Sequence, residues 1–492
     1  MRFLLDTNIL IPLEDSHIPL EANLADFIRL SNENGHQLVY HPASEKDLER
    51  DSNSVRRQQT LNRLRQYTRL DPGPDCPWND ETTTENDRVD NQILYALECG
   101  AAHALVTEDH AIHRKAKRRN LGDRVFYIQT AETWLRQLHD RVSITLPNIE
   151  EVSLYTLTPC LGSQFFDSLR NGYPQFDSWF SRKSKEGTKA WVYWASPNNL
   201  GAICIFDRQI DQTITSEGLR LPGSSLKLCT FKVETEFRGR KIGELFLKAA
   251  FRFATFNRLE HIFIHGDVDT HRFLFDLLDD FGFTRIGSHV GSGNRDAVYL
   301  KKHPLLPPTS NALAFPYLKE FYPHFRRDTK IQKFIVPIRP TFHEIFFPDY
   351  EHPAAHQNLL FRQPNSAGNA IKLAYLCNAQ ISQIEPGSIM LFYRSVDHRA
   401  VTSLAVVESY ESTQDASKIA QVVSRRTVYS LSDIEKIAQK PTKVMLFRHV
   451  KHLKYPVDRE WMLNQNLIDG NIQTIRQITD QIFEKIYEYG ER

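Results

Sequence analysis

Four acidic side chains occur at points of the sequence where a strand is expected to end or a helix to begin. The first follows the apolar run at residues 3–5, and the last follows the apolar run at residues 104–106. In an open parallel α/β sheet the carboxyl ends of the strands lie along one edge. The sequence therefore predicts that four carboxylates converge there: Asp6, Glu45, Asp90 and Asp109.

Carboxylates brought together repel one another, and hard divalent cations are the usual means of neutralising them. Mg²⁺ and Mn²⁺ are the natural partners of such oxygen ligands. A metal held in this way can polarise a phosphate and activate a water molecule for in-line attack. The alternative is that each acid is an exposed residue at an ordinary strand end, which explains one acid better than the set of four.

The segments LLDTNIL and LVTEDHAIHRKA, with Glu45 and Asp90 between them, resemble a PIN-domain metal-dependent nuclease over residues 1–140. The resemblance implies that these two acids, together with Asp6 and Asp109, are catalytic and bind Mg²⁺ or Mn²⁺.

Two basic runs near these acids are able to neutralise a nucleic-acid backbone without reading its sequence. One lies at residues 114–119, and the other at residues 46–69. A solvated helix face is the alternative for either run. The arginines of the second run are Arg50, Arg56, Arg57, Arg63, Arg65 and Arg69.

A different chemistry is predicted in the middle of the chain. Residues 227–233 alternate as a strand, and residues 238–243 open a long amphipathic helix that continues to Phe253. A strand, a glycine-containing turn and a helix N-terminus present backbone N–H groups and a positive dipole to an anion. A pyrophosphate fits such a loop.

The segment EFRGRKIGELFLKAA resembles the coenzyme A loop of GNAT acyltransferases, and the resemblance extends over residues 151–302. It implies that acetyl-CoA binds here and that Glu234 and Glu236 are candidate bases for deprotonating an amine. Solvation of the loop is their alternative role. The implied coenzyme A residues are Val233, Arg238, Gly239, Arg240, Lys241, Ile242 and Gly243.

Two departures from the family pattern bear on turnover. Lys241 stands where the family usually has glycine, and Leu278 stands where many relatives place a tyrosine general acid. These departures favour binding of acetyl-CoA over its turnover.

The C-terminal region contains IEPGSIMLFYRS followed by AVTSLAVVES, which resemble the strand pair of PUA-like domains of the ASCH or EVE kind. The resemblance implies a small β-barrel with helices over residues 316–492 that binds RNA. A structural barrel with core aromatics is the alternative, and residues 471–489 are predicted to end the chain as a helix. The candidate RNA contacts are Lys372, Tyr393, Arg394, Arg425 and Arg426.

Composition sets the frame for these motifs. A chain of 492 residues is too long for one core and indicates about three domains. Its 61 basic and 60 acidic residues mean that any affinity for nucleic acid must come from local patches. The six cysteines lack paired spacing, and no apolar segment suits a signal peptide or a membrane span, so we expect a cytoplasmic protein without membrane association.

Together these features predict a multidomain α/β protein: a PIN-like parallel sheet, a GNAT α+β fold and a PUA-like barrel. The favoured function is an RNA-acting enzyme that cleaves phosphodiesters and transfers an acetyl group to an amine on RNA or protein, with a toxin–antitoxin role and an antitoxin partner implied by resemblance. One alternative is a protein acetyltransferase whose PIN region is a docking module. Another is a non-catalytic nucleic-acid-binding regulator that senses acetyl-CoA.

Overall fold

The structure of the protein is a computed structural model. It describes residues 1–14, 21–49, 54–78, 84–139, 149–238, 240–268, 270–290, 296–350, 370–381, 383–424, 426 and 429–492. The chain divides into two compact units. The first unit comprises Met1–Val142, Leu376–Asn378 and Ser412–Val444, and the second comprises Ser143–Tyr375, Ala379–Glu411 and Met445–Arg492. The three predicted domain boundaries stay predictions.

The N-terminal region alternates strands with helices, as a parallel sheet requires. Its elements are β1 Arg2–Leu5, α1 Thr7–Glu14, α2 Ala22–Glu33, β2 Gln37–Tyr40, α3 Pro42–Glu49, α4 Ser54–Arg63, β3 Thr68–Arg69, α5 Glu85–Glu98, β4 Ala104–Val106, α6 His110–Arg118, β5 Val125–Phe126 and α7 Ile128–His139.

The predicted parallel α/β sheet of this region is confirmed. Its strand order is β3-β2-β1-β4-β5, and every neighbouring pair is parallel. The strand order reverses direction between β1 and β4, which is where an open α/β sheet forms a crevice at its carboxyl edge. Asp6 directly follows β1 and Thr107 directly follows β4, so both residues lie at this crevice.

Helix α5 begins earlier than predicted. We expected Asp90 to begin the helix, but Thr84 and Asp87 form a capping box that begins it at Glu85. This box satisfies backbone N–H groups that an uncapped helix start leaves without partners. Asp90 therefore lies inside the helix.

The middle region is an α+β arrangement within the second unit. Its elements are β6 Ile149–Ser153, α8 Asp167–Gly172, α9 Phe176–Lys185, β7 Lys189–Ser196, β8 Asn199–Ile210, β9 Ser224–Val233, α10 Ile242–Phe256, β10 His261–Gly266, α11 Arg272–Asp280, β11 Thr284–Ser288 and β12 Ala297–Lys302.

These strands form a seven-stranded sheet with the order β11-β12-β10-β9-β8-β7-β6. Neighbouring strands are antiparallel except β9 and β10, which are parallel and joined by the crossover helix α10. Helix α10 begins at Ile242, four residues after the predicted start at Arg238, because residues 235–237 form a short 3-10 turn. The loop before α10 is therefore longer than the sequence suggested.

The C-terminal region is rich in strands. Its elements are α12 Ala314–Phe321, β13 Lys333–Ile338, α13 Pro340–Phe346, β14 Lys372–Cys377, β15 Ile389–Arg394, β16 Ala400–Thr413, α14 Ala416–Val423, α15 Leu431–Ile437, β17 Thr442–Asp458, α16 Arg459–Asn464, β18 Arg476–Ile478 and α17 Asp480–Gly490.

These strands form an open sheet and not the predicted barrel. The strand order is β14-β17-β16-β15-β13-β18, so among the described residues β14 and β18 are edges that do not pair with each other. Barrel closure requires the two edge strands to pair, and β18 has only three residues.

The predicted terminal helix over residues 471–489 is also shorter than expected. Residues 476–478 form β18, which pairs with β13, and the side chain of Thr479 caps α17 by accepting a hydrogen bond from the backbone of Ile482. Strand pairing with β13 thus replaces the first part of the helix that the spacing of apolar residues had predicted.

The two sheets of the second unit share one hydrophobic core. Buried side chains from α10, α11, β15 and α17 belong to the same cluster, represented by Phe246, Leu278, Leu391 and Ile486. The regions predicted as separate GNAT and PUA-like domains therefore bury apolar surface in common. In the described part of the chain, no helix is both long enough and apolar enough to cross a bilayer.

A buried lysine at the end of β12 predicts a pH dependence of stability. Lys301 is fully buried and its ammonium donates to the backbone carbonyl of Glu320 at 2.6 Å. Burial, with the nearby Arg448 guanidinium, lowers the pKa of Lys301 to about 7. Because the unfolded lysine stays protonated to higher pH, the folded protein gains stability as the pH rises above 7.

We therefore expect the unfolding free energy of the native protein, relative to Lys301→Met, to rise between pH 7 and 10, by up to roughly 4 kcal/mol. Urea unfolding at several pH values measures this difference. Lys302→Met is the matched control because Lys302 is exposed. The difference in unfolding free energy between the native protein and Lys302→Met should not change with pH. The prediction would be contradicted if the difference for Lys301→Met were also independent of pH.

Candidate acyl-CoA cleft and carboxylate cluster

Strands β9 and β10 separate part of the way along their length. Both strands are fully described, and their parallel pairing ends at Leu228 and Ile264 although β9 continues to Val233. Beyond these residues, the backbone N–H and C=O groups on the facing edges of β9 and β10 no longer hydrogen-bond to each other. The separation forms a cleft in the sheet, and strand edges of this kind hydrogen-bond extended ligands.

A β-bulge on β9 marks the start of the cleft. On the neighbouring strand β8, Ile205 pairs with Thr230 while Phe206 pairs with Leu228, which leaves Cys229 as the extra residue. Bulges redirect the backbone and are frequent beside active sites. The cleft is therefore built into the sheet.

The loop from β9 to α10 directs the helix N-terminus. Lys241, the residue before α10, adopts the left-handed conformation with φ of 63°. This conformation suits glycine and explains why glycine is usual here in the family that the segment resembles. Lysine has no acceptor with which to cap the helix, so the first amides of α10, from Ile242 onward, point out of the helix without an intrahelical acceptor.

The ammonium of Lys241 lies near the carboxylate of Glu244, one turn into α10. The distance from Lys241 Nζ to Glu244 Oε1 is 2.7 Å, and the other oxygen of Glu244 accepts the backbone N–H groups of Ile371 and Lys372. The Glu244 side chain is 5% exposed. Burial alone would raise the pKa of Glu244, but the charges of Lys241 and Lys372 hold it below its usual range. Lys241 thus stabilises a buried acid as well as ending the loop.

The left-handed backbone at Lys241 allows a stability test. We expect Lys241→Gly to be more stable than Lys241→Ala by about 1 kcal/mol, because both lose the ion pair and only alanine keeps the strain. Ordinary helix positions show the reverse order. Ala249, inside α10, is the control, and its replacement by glycine should lower the unfolding free energy in the same urea titrations. Greater stability of Lys241→Ala would contradict the geometry.

Gly243 lies where α10 approaches α11. A Cβ at this position would stand 2.8 Å from the Cδ2 atom of Leu277. Leu278, which stands where the predicted family pattern would place a tyrosine, is fully buried in the hydrophobic core. The absence of a side chain at Gly243 therefore lets α10 sit close to α11, while Leu278 has no polar atom and cannot donate a proton.

The other residues predicted for this loop are spread along it. The carboxylate of Glu234 lies 3.1 Å from Lys232 Nζ and its backbone N–H donates to Gly201, whereas Glu236 is exposed on the 3-10 turn. Val233 ends β9, Arg240 lies over the ring of Phe237, and Arg238 is exposed. Gly239 lies outside the described residues. The roles of these residues stay predictions.

A polar cluster next to the cleft was missed from the sequence. His265 on β10 directly follows Ile264, the last residue of that strand that pairs with β9. The Nδ1 atom of His265 lies 3.2 Å from the carboxylate of Asp296. Tyr173 donates to the same carboxylate at 3.3 Å, and His289 stacks on His265 with ring centroids 3.6 Å apart. The available signal was a histidine within the otherwise apolar strand IFIHG.

The first unit contains a buried carboxylate at the crevice of its parallel sheet. Asp6 is 5% exposed and accepts hydrogen bonds from the hydroxyl of Thr107 at 2.6 Å, the amide of Asn8 at 2.8 Å and the backbone of Thr7 at 2.7 Å. These donors are all neutral. Burial raises the pKa of Asp6, and the neighbouring Asp109 adds to that shift.

Asp90 and Asp109 lie close enough to Asp6 to interact with it electrostatically. Burial raises the pKa of Asp90 to about 6; Lys115 opposes this shift, and Asp109 and Asp6 add to it. Lys115 Nζ lies 3.2 Å from Asp90 and 2.9 Å from Asp87, and Asp109 caps α6. Asp6, Asp90 and Asp109 therefore form a cluster in which the Lys115 ammonium pairs with Asp90 and with the nearby Asp87. The sequence had not indicated Asp87 or Lys115 as part of this cluster.

Glu45 is not brought into this cluster. Its carboxylate forms a bidentate pair with Arg69 at 2.8 and 3.0 Å and accepts a hydrogen bond from Tyr40. Asp47, from the same helix, instead accepts a bond from Thr7. In the part of the chain that the structure describes, no three acidic, histidine or cysteine side chains are arranged to hold an ion. The excess negative charge suits a hard divalent cation, whereas the present side-chain positions do not surround one.

The predicted RNA contacts of the C-terminal region are corrected by their burial. Tyr393 is 3% exposed and belongs to the hydrophobic core, so it does not present a ring for base stacking. Arg394 is equally buried and paired with Asp397 and Glu344, Lys372 is paired with Asp280, and Arg426 is buried. Arg425 lies outside the described residues.

The two basic runs differ in what the structure places at the surface. In helix α6, Arg114, Lys117 and Arg118 are exposed, whereas Lys115 is buried in the carboxylate cluster. In the run at residues 46–69, Arg69 forms an ion pair with Glu45. Arg50 lies outside the described residues, as do the side chains of Arg56, Arg63 and Arg65.

Comparisons with known proteins gave only partial similarities. No family model matches the chain, and no curated protein matches it. Among solved structures, it is similar to the PaiA N-acetyltransferase from Thermoplasma acidophilum in complex with coenzyme A, with 15% identity, a TM-score of 0.24 and coverage of 32% of this chain and 99% of the other. It is also similar to the ASCH protein from Zymomonas mobilis, with 10% identity, a TM-score of 0.25 and coverage of 32% and 94%.

Proposed function

We propose that the second unit transfers an acetyl group from acetyl-CoA to an amine. The observation that carries this proposal is the separation of β9 from β10 beside the N-terminus of α10. A helix N-terminus with free amides suits a pyrophosphate, and the exposed strand edges of the cleft suit an extended chain with amide groups. Coenzyme A combines both features in one molecule.

The residues of the loop divide this task between them. The amides of Ile242 and Gly243 would hold the pyrophosphate, and the side chains of Arg238 and Arg240 would add positive charge. The edges of β9 and β10 would hold the pantetheine amides. Bound there, acetyl-CoA would supply an activated acyl group to the cleft, which begins beside the bulge at Cys229.

Calorimetry of the full chain with acetyl-CoA tests this proposal, followed by incubation of labelled acetyl-CoA with total RNA and with peptides. Binding accompanied by label transfer would support an acetyltransferase. Binding without transfer to either would favour the regulator that senses acetyl-CoA. Failure to bind acetyl-CoA would exclude both interpretations.

We infer a second activity for the first unit, cleavage of RNA with Mg²⁺ or Mn²⁺. The observation in its favour is the excess of carboxylates around Asp6, which lies at the sheet crevice with neutral partners. Asp90 and Asp109 would share the ion with Asp6, and the exposed cations of α6 would contact the phosphate backbone. A bound ion would polarise the phosphate and lower the pKa of a water molecule.

Incubating the full chain with labelled RNA and Mn²⁺, with and without a chelator, tests this second activity. Cleavage that requires the metal would support it. Binding of RNA without cleavage would favour the alternative in which the first unit is a docking module. An antitoxin partner and a cytoplasmic location stay predictions from the sequence.

A further inference from the structure

The polar cluster beside the cleft suggests which group receives the proton of the acceptor amine. His265 is the first residue of β10 beyond its pairing with β9, and an extension of that register would place it opposite the bulged Cys229. Successive side chains of a strand alternate between its faces, so His265 lies on the opposite face from Ile264, which packs with α10. The imidazole therefore stands at the start of the cleft, on the face away from α10.

The hydrogen bond to Asp296 fixes the useful tautomer. A carboxylate only accepts, so the Nδ1 atom of His265 must carry the proton in this contact, and the Nε2 atom keeps its lone pair. Asp296 is 2% exposed and is held by the hydroxyl of Tyr173. Among the described residues no side chain or backbone group is hydrogen-bonded to the Nε2 atom of His265.

Charged and titratable groups face His265 from each neighbouring element. They are Lys227 on β9, His289 after β11, Asp296 before β12 and Tyr173 at the end of α8. Burial, followed by the charge of Lys227, lowers the pKa of His265, so the free imidazole is neutral. When the ring takes up a proton at Nε2, its Nδ1–H group remains hydrogen-bonded to the carboxylate of Asp296.

We propose that His265 is the general base of the acyl transfer, that Asp296 positions it, and that the acceptor is an alkyl primary amine. This inference rests on the proposed acetyltransferase function. An alkyl amine is protonated near neutral pH and needs a base before it can attack, whereas the exocyclic amine of a nucleobase is already neutral. A histidine base that is hydrogen-bonded to a buried carboxylate is therefore suited to alkyl amines.

The step balances as follows. The ammonium group gives one proton to the Nε2 atom of His265, and the lone pair of the resulting amine forms a C–N bond with the thioester carbonyl carbon. The C–S bond breaks, and the second proton lost from nitrogen goes to the thiolate of coenzyme A. The imidazolium then releases its proton to solvent, which restores the neutral histidine.

Two coenzyme A derivatives test the assignment by binding alone. In one, the sulfur carries an aminoethyl group alkylated with butyl, so that an ammonium stands where the reacting nitrogen would be. In the other, a methylene replaces that nitrogen. Calorimetry with the full chain should show the amine derivative binding about 10-fold tighter than its methylene isostere, as expected for one charge-assisted hydrogen bond.

The variants separate a catalytic role from a structural one. His265→Leu and Asp296→Asn should bring the ratio of the two affinities close to one while leaving the affinity for coenzyme A itself unchanged. His261→Gln, on the same strand, is the matched control and should keep the ratio. The inference is overturned if the native protein binds both derivatives equally or if His265→Leu keeps the preference. Failure of coenzyme A itself to bind would instead remove the proposed function, and the inference with it.

Discussion

Asp6→Asn should abolish metal-dependent cleavage of RNA, with a loss on the order of 10³-fold. Asp6 is the most buried carboxylate at the crevice of the parallel sheet, and both of its oxygens accept hydrogen bonds from neutral hydroxyl, amide or backbone donors. Asparagine has the same shape but keeps only one of these acceptor oxygens and removes the charge that would hold a metal. A metal that polarises a phosphate contributes several kcal/mol to transition-state stabilisation, which corresponds to a loss of this size. Cleavage of a labelled RNA in Mn²⁺ measures it.

The same variant should be more stable than the native protein when no metal is present. Burial is the largest influence on the pKa of Asp6 and outweighs its hydrogen bonds. Removing the desolvation cost and the repulsion should therefore more than offset the hydrogen bonds lost at one oxygen, and we expect the unfolding free energy to rise by about 1 kcal/mol. Saturating Mn²⁺ should stabilise the native protein by about 2–3 kcal/mol and leave Asp6→Asn unchanged. Thermal unfolding with and without Mn²⁺ gives both values.

Asp75→Asn is the matched control, because Asp75 is an exposed carboxylate in the same unit. It should retain both cleavage and stabilisation by Mn²⁺. If Asp6→Asn lost stability without metal and the native protein showed no response to Mn²⁺, the carboxylate cluster would be a structural feature and the nuclease proposal would fail.

Gly243→Leu should weaken binding of acetyl-CoA on the order of 100-fold. The Cβ atom alone would stand 2.8 Å from the Cδ2 atom of Leu277. Leu277 must therefore move, and the longer leucine side chain is expected to push on α11 and on the first turn of α10. The amides that would hold the pyrophosphate are on that turn, and small displacements of positioned groups have large effects. Calorimetry of the full chain with acetyl-CoA measures the loss.

Gly162→Leu provides the control within the same unit. A Cβ at Gly162 meets no atom within 4 Å, so the substitution should leave acetyl-CoA affinity unchanged. Thermal unfolding of both variants distinguishes a local displacement from loss of the fold. Equal acetyl-CoA affinity for the native protein and a folded Gly243→Leu variant would exclude this loop as the pyrophosphate site.

Local patterns in the sequence were sufficient to locate the elements that carry both candidate sites. The apolar run at residues 3–5 followed by Asp6, and the alternation that leads to Val233, each depend on neighbours in the chain. The parallel sheet and the crossover helix α10 follow from such patterns. The unusual residue Lys241 could be noticed as well, because its position in the loop is a local property.

The partners of those side chains were decided by the tertiary structure. Glu45 looked equivalent to the other acids, yet Arg69, from the neighbouring strand β3, captures it. Asp90 acquires Lys115 from another helix. No local pattern fixes which of several nearby cations pairs with an acid, because the choice depends on strand order and helix packing.

The tertiary structure also decided how the C-terminal region closes and where the acyl cleft begins. Pairing of residues 476–478 with β13 replaces part of a predicted helix, since strand pairing between distant segments overrides a local period. The bulge at Cys229 and the approach of His265 to Asp296 depend on the register of four strands. Register is a property of the assembled sheet, so the sequence determined the elements and only the fold determined the site.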